Sequence, residues 1–235
     1  MIHKAHAGPR HYYTAAMPDS AQLSPADLAH WRGKFIVFEG PDGSGKSTQF
    51  HRLLDALKHT NTPVTQVREP GGTTTGEAIR KVLLDRANTG MSVRCEMLLY
   101  MASRAELVEH TIAPALARGE LVLADRFVAS TLAYQGAAGG LPKEDIAAVA
   151  RVATRSLMPD LYMLFDLDQQ AAAKRLSPLL DRMEAKGAQF HAKVREGYLA
   201  QARSSPGRYA VIDASLPEEA VWLQVARTLR QHGRP

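Results

Sequence analysis

The segment 34–48, Lys-Phe-Ile-Val-Phe-Glu-Gly-Pro-Asp-Gly-Ser-Gly-Lys-Ser-Thr, constrains this chain more than any other. Phe35 to Glu39 is a short apolar run of strand type. Gly40 to Ser47 fits the spacing G-x-x-x-x-G-K-[ST]. Phe50, Leu53, Leu54 and Leu57 then recur at helical spacing over Lys46 to His59. A strand, a glycine-rich turn and a helix N-terminus in that order make an anion site, because unpaired amides at a helix start point at a bound phosphate. Gly40, Gly43 and Gly45 let the backbone bend so that successive N–H groups face one phosphate chain. Gly40, Pro41, Asp42, Gly43, Ser44, Gly45, Lys46, Ser47 and Thr48 are therefore the expected ATP-phosphate contacts. Lys46 reaches the terminal phosphates and the Ser47 hydroxyl suits Mg²⁺. A glycine-rich turn that binds nothing is the bland alternative, and the flanking strand and helix argue against it.

A chain of 235 residues suggests one domain with at most a small mobile insertion. The composition, 45% hydrophobic and 23% charged, is that of an α/β protein. No apolar run reaches the roughly 20 residues of a membrane helix. The net charge of +5 fits either nucleic acid or anionic small molecules. No block of five or six basic residues is present, which favours small molecules over nucleic acid. The single Cys95 excludes an internal disulfide and any zinc-finger spacing, and is expected as a buried or half-buried thiol in a reducing cytoplasm.

Residues 1–33 precede the first strand and read as a flexible extension, with His3, His6, His11 and His30 in no common ligand pattern. Ser24-Pro25-Ala26-Asp27 looks like a helix cap followed by a short helix over 25–31. From 34 to 235 apolar strand-like runs alternate with helical patterns. Strands are expected at 35–39, 64–67, 121–124, 161–165 and 209–212. Helices are expected at 46–59, 76–84, 93–118, 143–157, 169–176, 187–203 and 217–231. In the long helix 93–118, Met97, Leu98, Met101, Leu107, Val108, Ile112 and Leu116 are read as inward, and Tyr100 and Arg104 share one face. Residues 130–140 read as a loop because of Gly136 and Gly139-Gly140. Strands alternating with helices imply an α/β fold, a five-stranded parallel sheet covered on both faces.

In such sheets ligands bind beyond the carboxyl ends of the strands. Asp42, Glu69-Pro70, Asp125-Arg126 and the Ser130–Gln135 stretch fall there. Asp125, after an apolar strand, suits Mg²⁺ or its water shell. Arg126 is placed to clamp a second phosphate with its planar fork, the alternative being a structural ion pair.

These motifs together resemble the thymidylate kinase family of the bacterial type. The resemblance rests on Phe38–Gln49, Arg-Glu-Pro-Gly-Gly-Thr at 68–73, Gly-Glu-Ala-Ile-Arg at 76–80 and Leu-Tyr-Met-Ala-Ser-Arg at 99–104. Asp-Arg-Phe-Val-Ala-Ser-Thr-Leu-Ala-Tyr-Gln-Gly at 125–136, Pro-Asp-Leu at 159–161 and Asp-Arg-Met-Glu at 181–184 complete it. It implies a P-loop NTPase fold, transfer of a phosphoryl group from ATP to dTMP giving ADP and dTDP, and a homodimer, with Mg²⁺ the cofactor expected at Ser47 and Asp125. By matching position it implies that Asp42 meets the deoxyribose 3′-hydroxyl and that Arg80 and Arg126 bind the dTMP phosphate. It further implies that Tyr100 stacks on thymine, that Arg104 bonds its edge, that Thr131 and Gln135 also read the base, that Tyr134 crowds the 2′ position, that Ser130 belongs to the dTMP site, and that Glu69 and Pro70 line it. The chain departs from the pattern in its short lid, near 174–187. There Arg175 is expected along the adenine or a fixed phosphate and Arg182 on the transferred phosphate. The competing readings are a P-loop kinase for another deoxynucleotide or nucleoside, which for a neutral hydroxyl needs a general base, and a regulatory ATPase, which needs a water-positioning residue.

Overall fold

The computed structural model describes residues 22–175 and 181–232. Five strands, β1 (Phe35–Glu39), β2 (Val64–Arg68), β3 (Leu121–Asp125), β4 (Leu161–Asp166) and β5 (Tyr209–Asp213), form one parallel sheet in the order β2-β3-β1-β4-β5. The register pairs Val37 with Ala124 on one side and with Tyr162 on the other. Central strands covered on both faces read as unbroken apolar runs, and β1 is buried along its whole length. Its side chains alternate: Phe35 and Val37 enter one core cluster, Ile36 and Phe38 the other.

The second of these clusters receives α2 (Lys46–His59) and α10 (Glu218–Gln231). The first receives α4 (Val93–Leu107), α7 (Lys143–Thr154) and α9 (Ala188–Ser204). The start of the described chain belongs to the body of the domain. α1 (Pro25–Leu28) is capped by Ser24 and runs into a 3₁₀ turn at Ala29–Trp31. Leu28 and Trp31 are fully buried, and the Trp31 indole donates to the Leu229 carbonyl at 2.9 Å. The packed domain thus begins before residue 34, near Pro25. The remainder of the expected extension, residues 1–21, lies outside the described residues, as does 176–180 of the expected lid.

The long helical pattern of 93–118 divides. α4 widens into a π turn at Val108–Ile112 before α5 (Ala113–Ala117). Pro114 has no N–H to give to the preceding turn, and the wider turn absorbs that loss. Met97, Met101, Leu107, Val108 and Ile112 are buried as expected, but Leu98 is exposed, on the flank of α4 beside the buried Met97–Met101 face. Cys95 is exposed too, correcting its reading as a buried thiol. Of the stretch 130–140, read as a loop, residues 130–138 are helical. α6 (Val128–Thr131) continues as a π segment, Leu132–Ala138, and ends at Gly139-Gly140. Ala129, Ala133, Ala137 and Ala138 favour helix, and the segment packs closely on α9, where a Cβ on Gly197 would come within 2.5 Å of the Ala137 side chain. α3 (Thr74–Leu84), capped by Thr73, and the short α8 (Gln169–Ala173) complete the elements used below. Among the described residues no helix is long and apolar enough to cross a membrane.

Candidate active site

The carboxyl ends of β1, β2 and β3 open into one cleft, and the phosphate loop fills its floor. Gly40 has φ +141°, and a Cβ there would meet the Phe165 carbonyl at 2.5 Å. Gly43 has φ +80° and is just as close to the Ala172 carbonyl. No L-residue with a side chain fits either place, so the loop geometry depends on them. The chain enters α2 at Lys46, so the amides of Lys46, Ser47 and Thr48 are first-turn donors without intrahelical acceptors. The Ser44 hydroxyl is buried without a hydrogen-bond partner among the described residues.

One carboxylate draws two cations together above this loop. Asp42 Oδ1 lies 3.6 Å from Lys46 Nζ and 2.5 Å from Arg126 Nη2. Asp42 Oδ2 accepts from the Tyr134 hydroxyl at 3.2 Å. Burial alone would raise the Asp42 pKa, but Arg126 and Lys46 outweigh it and hold the carboxyl well below its ordinary value. Asp125 Oδ1 is 3.9 Å from Lys46 Nζ and is buried without a hydrogen-bond partner among the described residues.

Arg126 follows β3 with φ +74°, a left-handed conformation that is uncommon outside glycine and is found where surrounding structure enforces it. The enforcing group is Glu39, at the end of β1 and fully buried. Its carboxylate accepts from Phe127 N at 2.8 Å, Ser130 N at 3.2 Å, Ser130 Oγ at 2.7 Å and Tyr198 Oη at 3.0 Å. Burial raises the Glu39 pKa against the opposing pull of Arg126 and these donors. The Arg126 guanidinium donates to Ser130 Oγ at 3.1 Å and Tyr198 Oη at 3.0 Å from Nη1, and to Asp42 from Nη2. Of its five N–H groups, Nε and one on Nη2 carry no bond among the described residues and remain for a ligand. Ser130 is thereby a brace for Arg126, its hydroxyl already engaged by Glu39 and Tyr198.

The far wall carries Glu69, Pro70, Arg80, Tyr100, Thr131, Tyr134 and Gln135. Arg80 Nη1 donates to the Pro70 carbonyl at 2.9 Å, which anchors it beside the cleft. Glu69-Pro70 is a cis peptide. Tyr134 is buried with its ring 5.3 Å from the Arg126 guanidinium carbon, a cation–π stack that fixes the ring.

Three expected arginines are placed differently. Arg104 lies behind the wall, 1% exposed. It clasps Glu69 with Nε at 2.9 Å and Nη2 at 2.5 Å and donates from Nη1 to Thr131 Oγ1 at 3.2 Å. A buried guanidinium needs a carboxylate, and Glu69 supplies one, so Arg104 is held behind the wall with its Nη1 on Thr131, a residue that lines the cleft. Arg182, expected to swing onto the transferred phosphate, is buried and tied down. Its Nε donates to the Leu83 carbonyl at 2.6 Å and its Nη1 to Glu96 at 2.5 Å. Asp181 and Met183, on either side of it, line the cleft instead. Arg175 is exposed and donates to the Ala214 carbonyl at 3.3 Å, past the end of β5 and away from this cleft. Sequence reasoning missed Glu39, Glu96, Asp181 and Tyr198. The one available signal for Glu96 is its position one helical turn before Tyr100.

A parallel sheet with the phosphate loop after its central strand, and two cations gathered on one carboxylate at the switch point, defines a P-loop phosphotransferase acting on nucleotides. The thymidylate kinase family model matches residues 38–225. The chain belongs to the thymidylate kinase family. It is 48% identical over 198 residues to a thymidylate kinase of Symbiobacterium thermophilum, covering 84% of this chain and 92% of that one. It is 44% identical over 202 residues to one of Caldanaerobacter subterraneus, covering 86% and 97%. The crystal structure of thymidylate kinase from Ehrlichia chaffeensis superposes with a TM-score of 0.70 at 31% identity, covering 85% of this chain and all of that one.

Proposed function

We propose that the chain transfers the terminal phosphoryl group of ATP to dTMP, giving ADP and dTDP. The observation that carries this reading is the single Asp42 carboxylate holding both Lys46, on the donor side, and Arg126, on the acceptor side, at the mouth of one cleft. Phosphoryl transfer needs positioning and charge stabilisation more than covalent chemistry. The acceptor's phosphate oxygen is already anionic, so no general base is required. It bonds to the γ-phosphorus as the bond to the bridging oxygen of ADP breaks. Arg126 orients the acceptor phosphate with its two open donors, and Arg80 flanks it. Lys46 follows the transferring group, whose charge spreads over its outer oxygens.

Mg²⁺ fits the oxygens at hand. The orphaned Asp125 Oδ1 is a hard acceptor, and the Ser47 hydroxyl lines the same cleft. When bound, the ion would neutralise charge on the nucleotide phosphates. Tyr100 and Tyr134 are the faces against which base and sugar would lie, with Tyr134 closing the 2′ side. Arg175, beyond the cleft near Ala214, is left for the adenine side. A homodimer in the cytoplasm is the assembly and compartment we infer from the family. A coupled ADP-release assay over a panel of nucleoside monophosphates tests the substrate: dTMP is expected to be used best, and a preference for UMP or CMP would overturn the reading.

A further inference from the structure

The chemistry above makes no use of Glu96, yet its carboxylate is among the most elaborately held groups in the molecule. It is 1% exposed, on α4, one turn before Tyr100. Three side chains converge on it. Gln135 Nε2 donates to Oε1 at 2.8 Å, Arg182 Nη1 to Oε2 at 2.5 Å, and Lys186 Nζ to both oxygens at 3.0 and 2.9 Å. Burial would push the Glu96 carboxyl up, but the hydrogen bonds from Gln135, Lys186 and Arg182 prevail and hold it below the ordinary glutamate value. Paired with the two cations Arg182 and Lys186, Glu96 is ionised, and an ionised carboxylate only accepts. Gln135 must give it the amide N–H₂ end, which leaves Gln135 Oε1 as the end available to a ligand. Gln135 lines the cleft, and no hydrogen bond engages that oxygen among the described residues.

A second buried ion acts on Thr131 in the same way. Arg104 can only donate, and its Nη1 occupies a lone pair of Thr131 Oγ1 at 3.2 Å. The hydroxyl hydrogen is turned away from the guanidinium, and Thr131 also lines the cleft. The wall thus offers an acceptor at Gln135 and a donor at Thr131, each held by a charge behind it. Thymine and uracil carry a ring N–H beside a carbonyl, the complement of that pair. Cytosine carries a bare ring nitrogen beside an amino group, the inverse.

We propose that Glu96 is a positioning residue that sets the polarity of base recognition, holding the Gln135 amide so that the site accepts a pyrimidine with a ring N–H and rejects cytosine. The inference rests on the cleft being the dTMP site. Glu96→Gln keeps the shape but can donate as well as accept, so Gln135 can turn either way. The test measures kcat/KM for dTMP and dCMP on wild type, Glu96→Gln, Gln135→Leu and Lys186→Met. The dTMP-to-dCMP ratio should fall by roughly 10- to 100-fold in Glu96→Gln, with dTMP worse and dCMP better, whereas simple loosening would lower both. Gln135→Leu, which leaves Arg182 and Lys186 on Glu96, should lose the same discrimination, and it decides the matter if Glu96→Gln does not fold. Lys186→Met removes a charge from Glu96 without touching Gln135 and should keep the wild-type ratio. An unchanged ratio in Glu96→Gln or Gln135→Leu, or an equal fall in Lys186→Met, overturns the proposal. A wild type that does not use dTMP would overturn the substrate assignment itself, and the inference with it.

Discussion

Replacing Arg126 by lysine isolates what the guanidinium fork does. Both residues carry a Cβ at φ +74°, so backbone strain is the same in each, and the positive charge is kept. What changes is the number and direction of donors. In the structure Arg126 spends bonds on Ser130, Tyr198 and Asp42 and keeps two N–H groups for a ligand. An ammonium has three donors and no fixed plane, so it cannot hold Asp42 and Tyr198 while meeting two phosphate oxygens. The expected loss is at least one charge-assisted hydrogen bond to the acceptor phosphate together with its orientation. At about 1.5–3 kcal/mol per such bond, we expect a loss of about 2–4 kcal/mol, or roughly 30- to 1,000-fold in kcat/KM for dTMP. KM should rise and kcat fall together, because the group both binds and orients, while the KM for ATP moves little. Asp42 keeps Lys46 at 3.6 Å, so the fold should survive, as a thermal melt would verify. A coupled ADP-release assay with dTMP and ATP varied in turn measures both constants. Wild-type dTMP kinetics in Arg126→Lys would return Arg126 to a purely structural ion pair and refute the reasoning.

Lys46→Ala should collapse turnover by orders of magnitude with the melting temperature little changed, and near-normal turnover would disconnect the loop from the chemistry. Between dTMP and dUMP the preference should be modest, since one methyl is worth about 1–3 kcal/mol in an apolar pocket, whereas UMP should be far worse because the Tyr134 ring is fixed between Asp42 and Arg126; UMP turnover matching dUMP would show that Tyr134 does not close the 2′ side. The Asp42 carboxyl is held below its unfolded value, so its contribution to stability is full above about pH 4 and fades as the pH falls; the melting-temperature gap between wild type and Asp42→Asn should narrow on acidification, and a gap that widens contradicts the ion-pair geometry. Arg182→Met should act on stability first: Glu96 loses one buried cation but keeps Lys186 and Gln135, so a cost of about 2 kcal/mol and a drop of roughly 4–8 °C are expected, and a variant with wild-type melting but crippled kcat would restore Arg182 as a phosphate-reaching residue.

Local pattern by itself determined the strands, the phosphate loop and most helices. β1 could be read because a strand buried on both faces runs apolar, here Phe35 to Phe38, before the buried Glu39 at its end. α2 could be read from its 3.6-residue spacing to the residue, Lys46–His59. Gly40 and Gly43 could be read from the G-x-x-x-x-G-K-[ST] spacing, although the carbonyls that exclude a side chain there, Phe165 and Ala172, come from distant parts of the chain. The acceptor-site residues were legible mainly through resemblance, since a lone Thr131 or Gln135 says nothing about what it faces.

Tertiary structure decided the rest, wherever a residue's partner lies far along the chain. Residues 130–138 became helix because Gly197 on α9 admits them, against the local signal of Gly136. Leu28 and Trp31 joined the core because α10 lies across them. Arg104 was expected at a ligand by resemblance and Arg182 from its place in the short lid. Folding instead brings Glu69 and Glu96 against them, and a buried guanidinium takes the nearest buried carboxylate. The placement of charge in a site is a sum over distant neighbours, and no spacing rule within one segment contains it.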